Sequence, residues 1–152
     1  MKTRRLTVLS LILLAALLVG AIAINATAAK TLKLKVKWKP PDYLLDSNPP
    51  DPWNAEMWLT GDHDFTEIDP TTIWLEGIYS PEYDPYPSEN KPRLVVPFDG
   101  YDVLIALMLK VGHMVPGGEY RVYLEITGEL NDGTPFAGKS GISLLIPENP
   151  GP

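Results

Sequence analysis

Beyond residue 30, apolar and polar residues alternate along most of the chain, which is the period of a strand with one buried face. In residues 31–38, Leu32, Leu34, Val36 and Trp38 fall on one face while Lys33, Lys35 and Lys37 fall on the other. This pattern predicts a half-buried strand whose outer face is basic. Residues 53–60, 72–76 and 92–98 predict a second, third and fourth strand, each bounded by Pro, Gly, Asn or Asp. Pro97 fits only at an edge or a strand end, because it has no N–H to give to a ladder. Between the first two strands, residues 40–52 form a Pro-rich link interrupted by Tyr43, Leu44 and Leu45.

The period changes over residues 99–111. Leu104, Leu107, Met108 and Val111 stand at i, i+3, i+4 and i+7, with Asp99 in the N-cap position and Asp102 near the positive end of the helix dipole. A short peripheral helix is the reading these positions favour; a buried strand is the alternative, since an apolar run of this length fits both. Further on, Tyr120, Val122, Leu124 and Ile126 alternate with Arg121, Tyr123, Glu125 and Thr127, and Phe136, Ser140, Ile142, Leu144 and Ile146 resume the pattern after Asp132-Gly133. A long antiparallel hairpin is expected there. The elements together predict an all-β fold, an immunoglobulin-like antiparallel β-sandwich with one short peripheral helix.

The first 29 residues have a different character. Lys2, Arg4 and Arg5 precede an apolar run from Leu6 to Ile24, followed by the small residues of Asn25-Ala26-Thr27-Ala28-Ala29. This is the layout of a signal peptide cleaved after Ala28 or Ala29. The competing reading is a signal anchor helix, because the run approaches the roughly 20 apolar residues that span a bilayer. Residues 1–29 are thus assigned to a signal peptide or signal anchor and residues 30–152 to the β-sandwich domain. Either reading places the domain outside the membrane, extracellular or at the cell surface, with membrane contact only if the segment stays uncleaved.

Without residues 1–29, ten basic residues remain against 19 acidic ones, a formal charge of −9. A net charge of that sign disfavours nucleic acid as a partner. The chain has no cysteine, so neither disulfides nor thiolate chemistry enter. Its 16 prolines restrict the loops instead. Asn25-Ala-Thr is the one N-x-S/T acceptor, and it lies inside the leader.

Three stretches, IDPTTIWLEG (68–77), RLVVPFDGYDVLIALM (93–108) and ITGELNDGTPFAGKSGI (126–142), resemble a β-sandwich module of secreted and cell-surface proteins of archaea and some bacteria. The likeness spans roughly residues 42–146 and is most specific in the Gly-x-Leu-x-Asp-Gly-Thr-Pro-Phe-x-Gly hairpin. It implies a non-catalytic structural or adhesive role. Members of that family commonly carry an Asp-Gly-Asp-Gly loop resembling a calcium site before the fourth strand. Here the matching residues are Ser88, Glu89, Asn90, Lys91 and Pro92, which depart from it.

Candidate chemistry is sparse. Asp62, Asp64, Glu67 and Asp69 crowd one loop with His63, and such closely spaced oxygens are of the kind that hold calcium; the alternative is a solvated acidic loop without a cofactor. No ordered EF-hand pattern and no G-x-S-x-G occurs, and the two histidines, His63 and His113, stand in no motif with a serine, so an enzyme is not expected. Aromatic residues are the better binding candidates: Trp58, on a face with Asn54 and Glu56, and Tyr79, Tyr83 and Tyr86 in the loop IYSPEYDPYP. They could stack on a sugar or dock a partner, or equally the tyrosines could fold under their own loop. The favoured function is a secreted or cell-surface structural or adhesion module whose partner is a cell-envelope protein or glycan. A subunit polymerising by donor-strand addition through Thr31 to Lys39 and a glycan-binding module are the alternatives.

Overall fold

The computed structural model describes residues 30–148, and the expected signal or anchor segment lies outside them. The described chain is mostly β, with one α-helix, and its strands form a curled, mixed sheet shaped like a half-barrel. The elements are β1 (Leu32–Lys39), β2 (Asp42–Leu44), β3 (Trp53–Leu59), β4 (Trp74–Leu75), β5 (Tyr86–Pro87), β6 (Leu94–Phe98), α1 (Gly100–Val111), β7 (Glu119–Glu129) and β8 (Pro135–Leu145). Single 3-10 turns at Phe65–Glu67 and Pro70–Thr72 precede β4. Among the described residues no helix is long and apolar enough to cross a membrane.

The strands lie in the order β4-β7-β8-β1-β3-β6-β5, with β2 also pairing β8. The expectation of a purely antiparallel sandwich is corrected here, because β1 and β2 both run parallel to β8. β1 pairs antiparallel with β3 over six positions, Leu34↔Leu59 to Lys39↔Asn54, but pairs with β8 only at Leu32↔Phe136 and Lys33↔Ala137. Beyond that point the chain leaves β8, turns, and returns as β2 beside Ser143 to Leu145. At Gly138, just past the paired residues, the two backbones still approach closely: a Cβ there would overlap the Leu34 carbonyl, so no side chain fits between them.

The Pro-rich link contains β2, which alternation could not reveal in three residues. Its pairing is continued by hydrogen bonds from the Leu45 amide to the Leu145 carbonyl (3.0 Å) and from the Ser143 amide to the Pro41 carbonyl (3.0 Å). Tyr43 turns inward against Trp53, their rings 5.3 Å apart, and the Trp53 indole N–H donates to the Pro40 carbonyl at 3.1 Å. Pro97 sits near the end of β6. Its carbonyl accepts from the Glu82 amide at 3.1 Å on the side away from β3, so its missing N–H takes nothing from the β3 ladder.

Helix α1 forms as the capping signal predicts, with the Asp99 carboxylate accepting from the Tyr101 and Asp102 amides at 2.7 and 3.0 Å. Its buried face differs from the expected one. Gly100, Val103, Ala106 and Leu107 turn inward, while Met108 is exposed and Leu104 half-buried. The helix is apolar nearly all round, so periodicity does not fix its rotation. Gly100 lies against the Pro50 carbonyl with no room for a Cβ, and burial of Val103, Ala106 and Leu107 in the core selects that face.

One core fills the concave side of the sheet, with Trp38, Trp53, Phe98 and Phe136 its largest fully buried side chains. Replacing Phe136 by Ala should lower stability in urea unfolding by about 3–5 kcal/mol. Tyr123→Ala, at an outward position on β7, should stay within about 0.5 kcal/mol of the parent.

Candidate functional site

Alternation along β1 turns Leu34 and Trp38 into the core and sends Lys33, Lys35, Lys37 and Lys39 outward, all four exposed. On β3 the same outward face carries Asn54, Glu56 and Trp58, and the register sets Lys35 opposite Trp58 and Lys37 opposite Glu56. Arg93 reaches over from the loop before β6, its guanidinium carbon 3.9 Å from the centre of the Trp58 ring. Trp58 is therefore half-buried, not fully exposed, and a cation fixes its ring.

Glu56 anchors this face. Among the described residues it is the buried charged one, 5% exposed, and it pairs with Arg93 at 2.9 Å and with Lys39. The hydrogen bond from Lys39 and then that from Arg93 hold its carboxyl below the ordinary carboxylate value, against the opposing effect of burial. By contrast, Lys33, Lys35 and Lys37 have no ion-pair partner among the described residues. Lys33 and Lys35 line a groove of about 620 Å3 with Trp58 and Lys139, floored by Leu34, Val36, Ala137 and Gly138 where β1 parts from β8. Glu125 stands at its rim, 3.6 Å from Lys139.

The three tyrosines do not share one place. Tyr79 packs against the core and exchanges backbone hydrogen bonds with Leu75, at 2.8 and 3.0 Å, closing a tight turn. Tyr83 and Tyr86 are exposed, 51% and 48%, with Tyr86 on β5 beside a second depression lined by Lys39, Asn54 and Glu56.

In the acidic loop, the carboxylates serve the backbone. Asp64 accepts from the Thr66 amide at 2.9 Å while Glu67 accepts from the Asp64 amide at 2.7 Å, a reciprocal capping box. Glu67 also meets His63 Nδ1 at 2.9 Å, and that contact first, then the Asp64 amide, holds its carboxyl below the ordinary value. Asp69 caps the next turn by accepting from both the amide and the hydroxyl of Thr71, at 2.9 and 2.7 Å, which depresses its carboxyl too. Asp62 is exposed beside them. Among the described residues, the carboxylates that converge within 4.8 Å of one another are instead Asp51, Glu82 and Asp99, beside the start of α1. Desolvation, then the charges of Asp99 and Asp51, push the Glu82 carboxyl above its ordinary value. Nothing in the sequence spacing of positions 51, 82 and 99 announces that meeting.

The basic face was half legible: the lysine alternation is plain, but Arg93 and Lys139 join it only through strand register. In comparisons with protein-family models, curated proteins and solved structures, nothing matches this chain.

The Glu56 pairing gives a signed pH dependence. A carboxyl held below its unfolded value contributes stability in full above about 4.5, and that contribution is lost as pH falls through the lower, folded value. Glu56→Gln should therefore cost about 1–3 kcal/mol at pH 7. Urea unfolding of the variant and the parent should show that difference shrinking as pH drops below 4.5.

Proposed function

We propose that this chain is an exported, non-catalytic module of the cell envelope with a structural or adhesive role, and that the outer face of β1 and β3 is its contact surface. The single observation behind this reading is charge segregation. Of the ten basic residues beyond residue 29, Lys33, Lys35, Lys37, Lys39, Arg93 and Lys139 lie on or beside one face of an otherwise acidic domain. A cation row around an aromatic ring, open to solvent, is a surface for contact with an anionic partner.

Export is supported by the basic start and apolar run of residues 1–29, and the adhesive role by the resemblance of the 126–142 hairpin to modules of cell-surface proteins. The curled sheet is read as a variant of the immunoglobulin-like sandwich, with β7 and β8 covering one side of the core and β3 and β6 the other. Donor-strand polymerisation through Thr31 to Lys39 would require β1 to give up its pairing with both β3 and β8. Contact through the lysine face requires no rearrangement, and that favours it.

The purified protein should co-sediment with insoluble envelope material of its host at low salt and be released near 1 M salt, where the screening length falls to about 3 Å. Protein remaining in the supernatant at low salt would contradict the adhesive reading.

A further inference from the structure

The groove where β1 leaves β8 carries a more specific assignment, which rests on the adhesive reading above. We infer that it binds an acidic polysaccharide, a linear glycan bearing carboxylate or sulfate groups, with Lys33, Lys35 and Lys139 on the anionic groups and Trp58 against a sugar ring.

The shape of the charged surface calls for a polymer. Lysines recur at every second position from 33 to 39, so the row extends over about 20 Å at roughly 3.3 Å per residue. A single small anion would engage one end of such a row. Depressions lie towards both ends, the groove at Lys33 and Lys35 and the smaller one at Lys39 beside Tyr86. Each offers an aromatic ring next to a cation, the pairing that suits a ring-shaped unit carrying a negative group.

The chemistry favours a glycan over an acidic peptide. An extended peptide gains most of its affinity by adding to a free strand edge. β1 is paired with β3 from Leu34 to Lys39, and on the other side the β1 and β8 backbones meet closely at Leu34 and Gly138, so no strand adds at that point of the groove. What remains accessible is side chains: the Lys33 and Lys35 ammonium groups, without ion-pair partners among the described residues, Lys139 in an exposed pair with Glu125 at 3.6 Å, and an indole held by Arg93. Because Arg93 and Glu56 already fix the ring, little side-chain entropy is lost when a sugar packs on it.

The test is a titration of the full-length protein with polygalacturonate, dextran sulfate, neutral dextran and polyglutamate, each followed by Trp fluorescence and by co-sedimentation on a bead-linked polymer. At low salt, polygalacturonate or dextran sulfate should bind and neutral dextran should not; which of the two binds tighter identifies the anionic group. Lys33→Gln/Lys35→Gln should weaken that binding by about tenfold or more, roughly one lost charge contact. Lys30→Gln/Lys91→Gln, which removes the same charge outside the lysine row and both depressions, should weaken it by no more than about threefold, the level expected of long-range attraction alone. These lysines are exposed, so the variants keep the fold, and Trp58→Phe gives a milder reading of the ring than Trp58→Ala. Equal losses in the two double variants, or polyglutamate binding as tightly as the glycans, would overturn the groove assignment. If the protein binds none of these polymers yet still sediments with host envelopes, the groove assignment fails while the adhesive reading stands.

Discussion

Pairing of β1 with two different neighbours is the constraint on which the described fold depends. The strand joins β3, antiparallel, to β8, parallel, and without it the two halves of the curled sheet, β4-β7-β8 and β3-β6-β5, would share no ladder. Its inward residues, Leu34 and Trp38, belong to the core, with Trp38 against Phe98 at 6.0 Å. Its outward residues are thereby fixed as well, since successive side chains of a strand point to opposite faces. The core behind β1 thus fixes which side of the sheet the lysine row occupies.

The same constraint shapes the electrostatics. Like charges along one face repel, and Glu56 offsets part of that cost by pairing with Lys39 at one end and drawing Arg93 over Trp58. Lys33, Lys35 and Lys37 keep their charges unpaired among the described residues and open to solvent. Several acidic residues elsewhere are committed to local work: Asp64, Glu67, Asp69, Asp99 and Asp132 each accept backbone hydrogen bonds at turns or caps.

How much of this could be read from the sequence follows from the range of each interaction. The β7–β8 hairpin, the β1 alternation and the Asp99 cap of α1 rest on contacts between near neighbours, and the corresponding elements lie within a residue or two of their expected positions. β2 and β5 are too short to show a period and exist only because β8 and β6 offer partner edges. The parallel pairings, the rotation of α1 and the meeting of Asp51, Glu82 and Asp99 are long-range outcomes of packing, which no local pattern encodes. Of the candidate site residues, Trp58 was identified on the correct face, yet its cover by Arg93 depends on the β3–β6 register. Asp64 and Glu67 show the reverse case. Their spacing is that of a capping box as much as that of a cation loop, and the local backbone uses it as the former.

The central claim is that one strand both closes the sheet and presents the binding face, and backbone amide NMR of the protein with and without polygalacturonate tests it directly. The account predicts shifts concentrated at residues 33–37, at 137–139 and at the Trp58 indole N–H, with the β1 amides that bond to β3 remaining protected from hydrogen exchange throughout. Shifts centred instead on the exposed side of α1 or the 79–86 loop, or loss of β1 protection when the polymer binds, would contradict it.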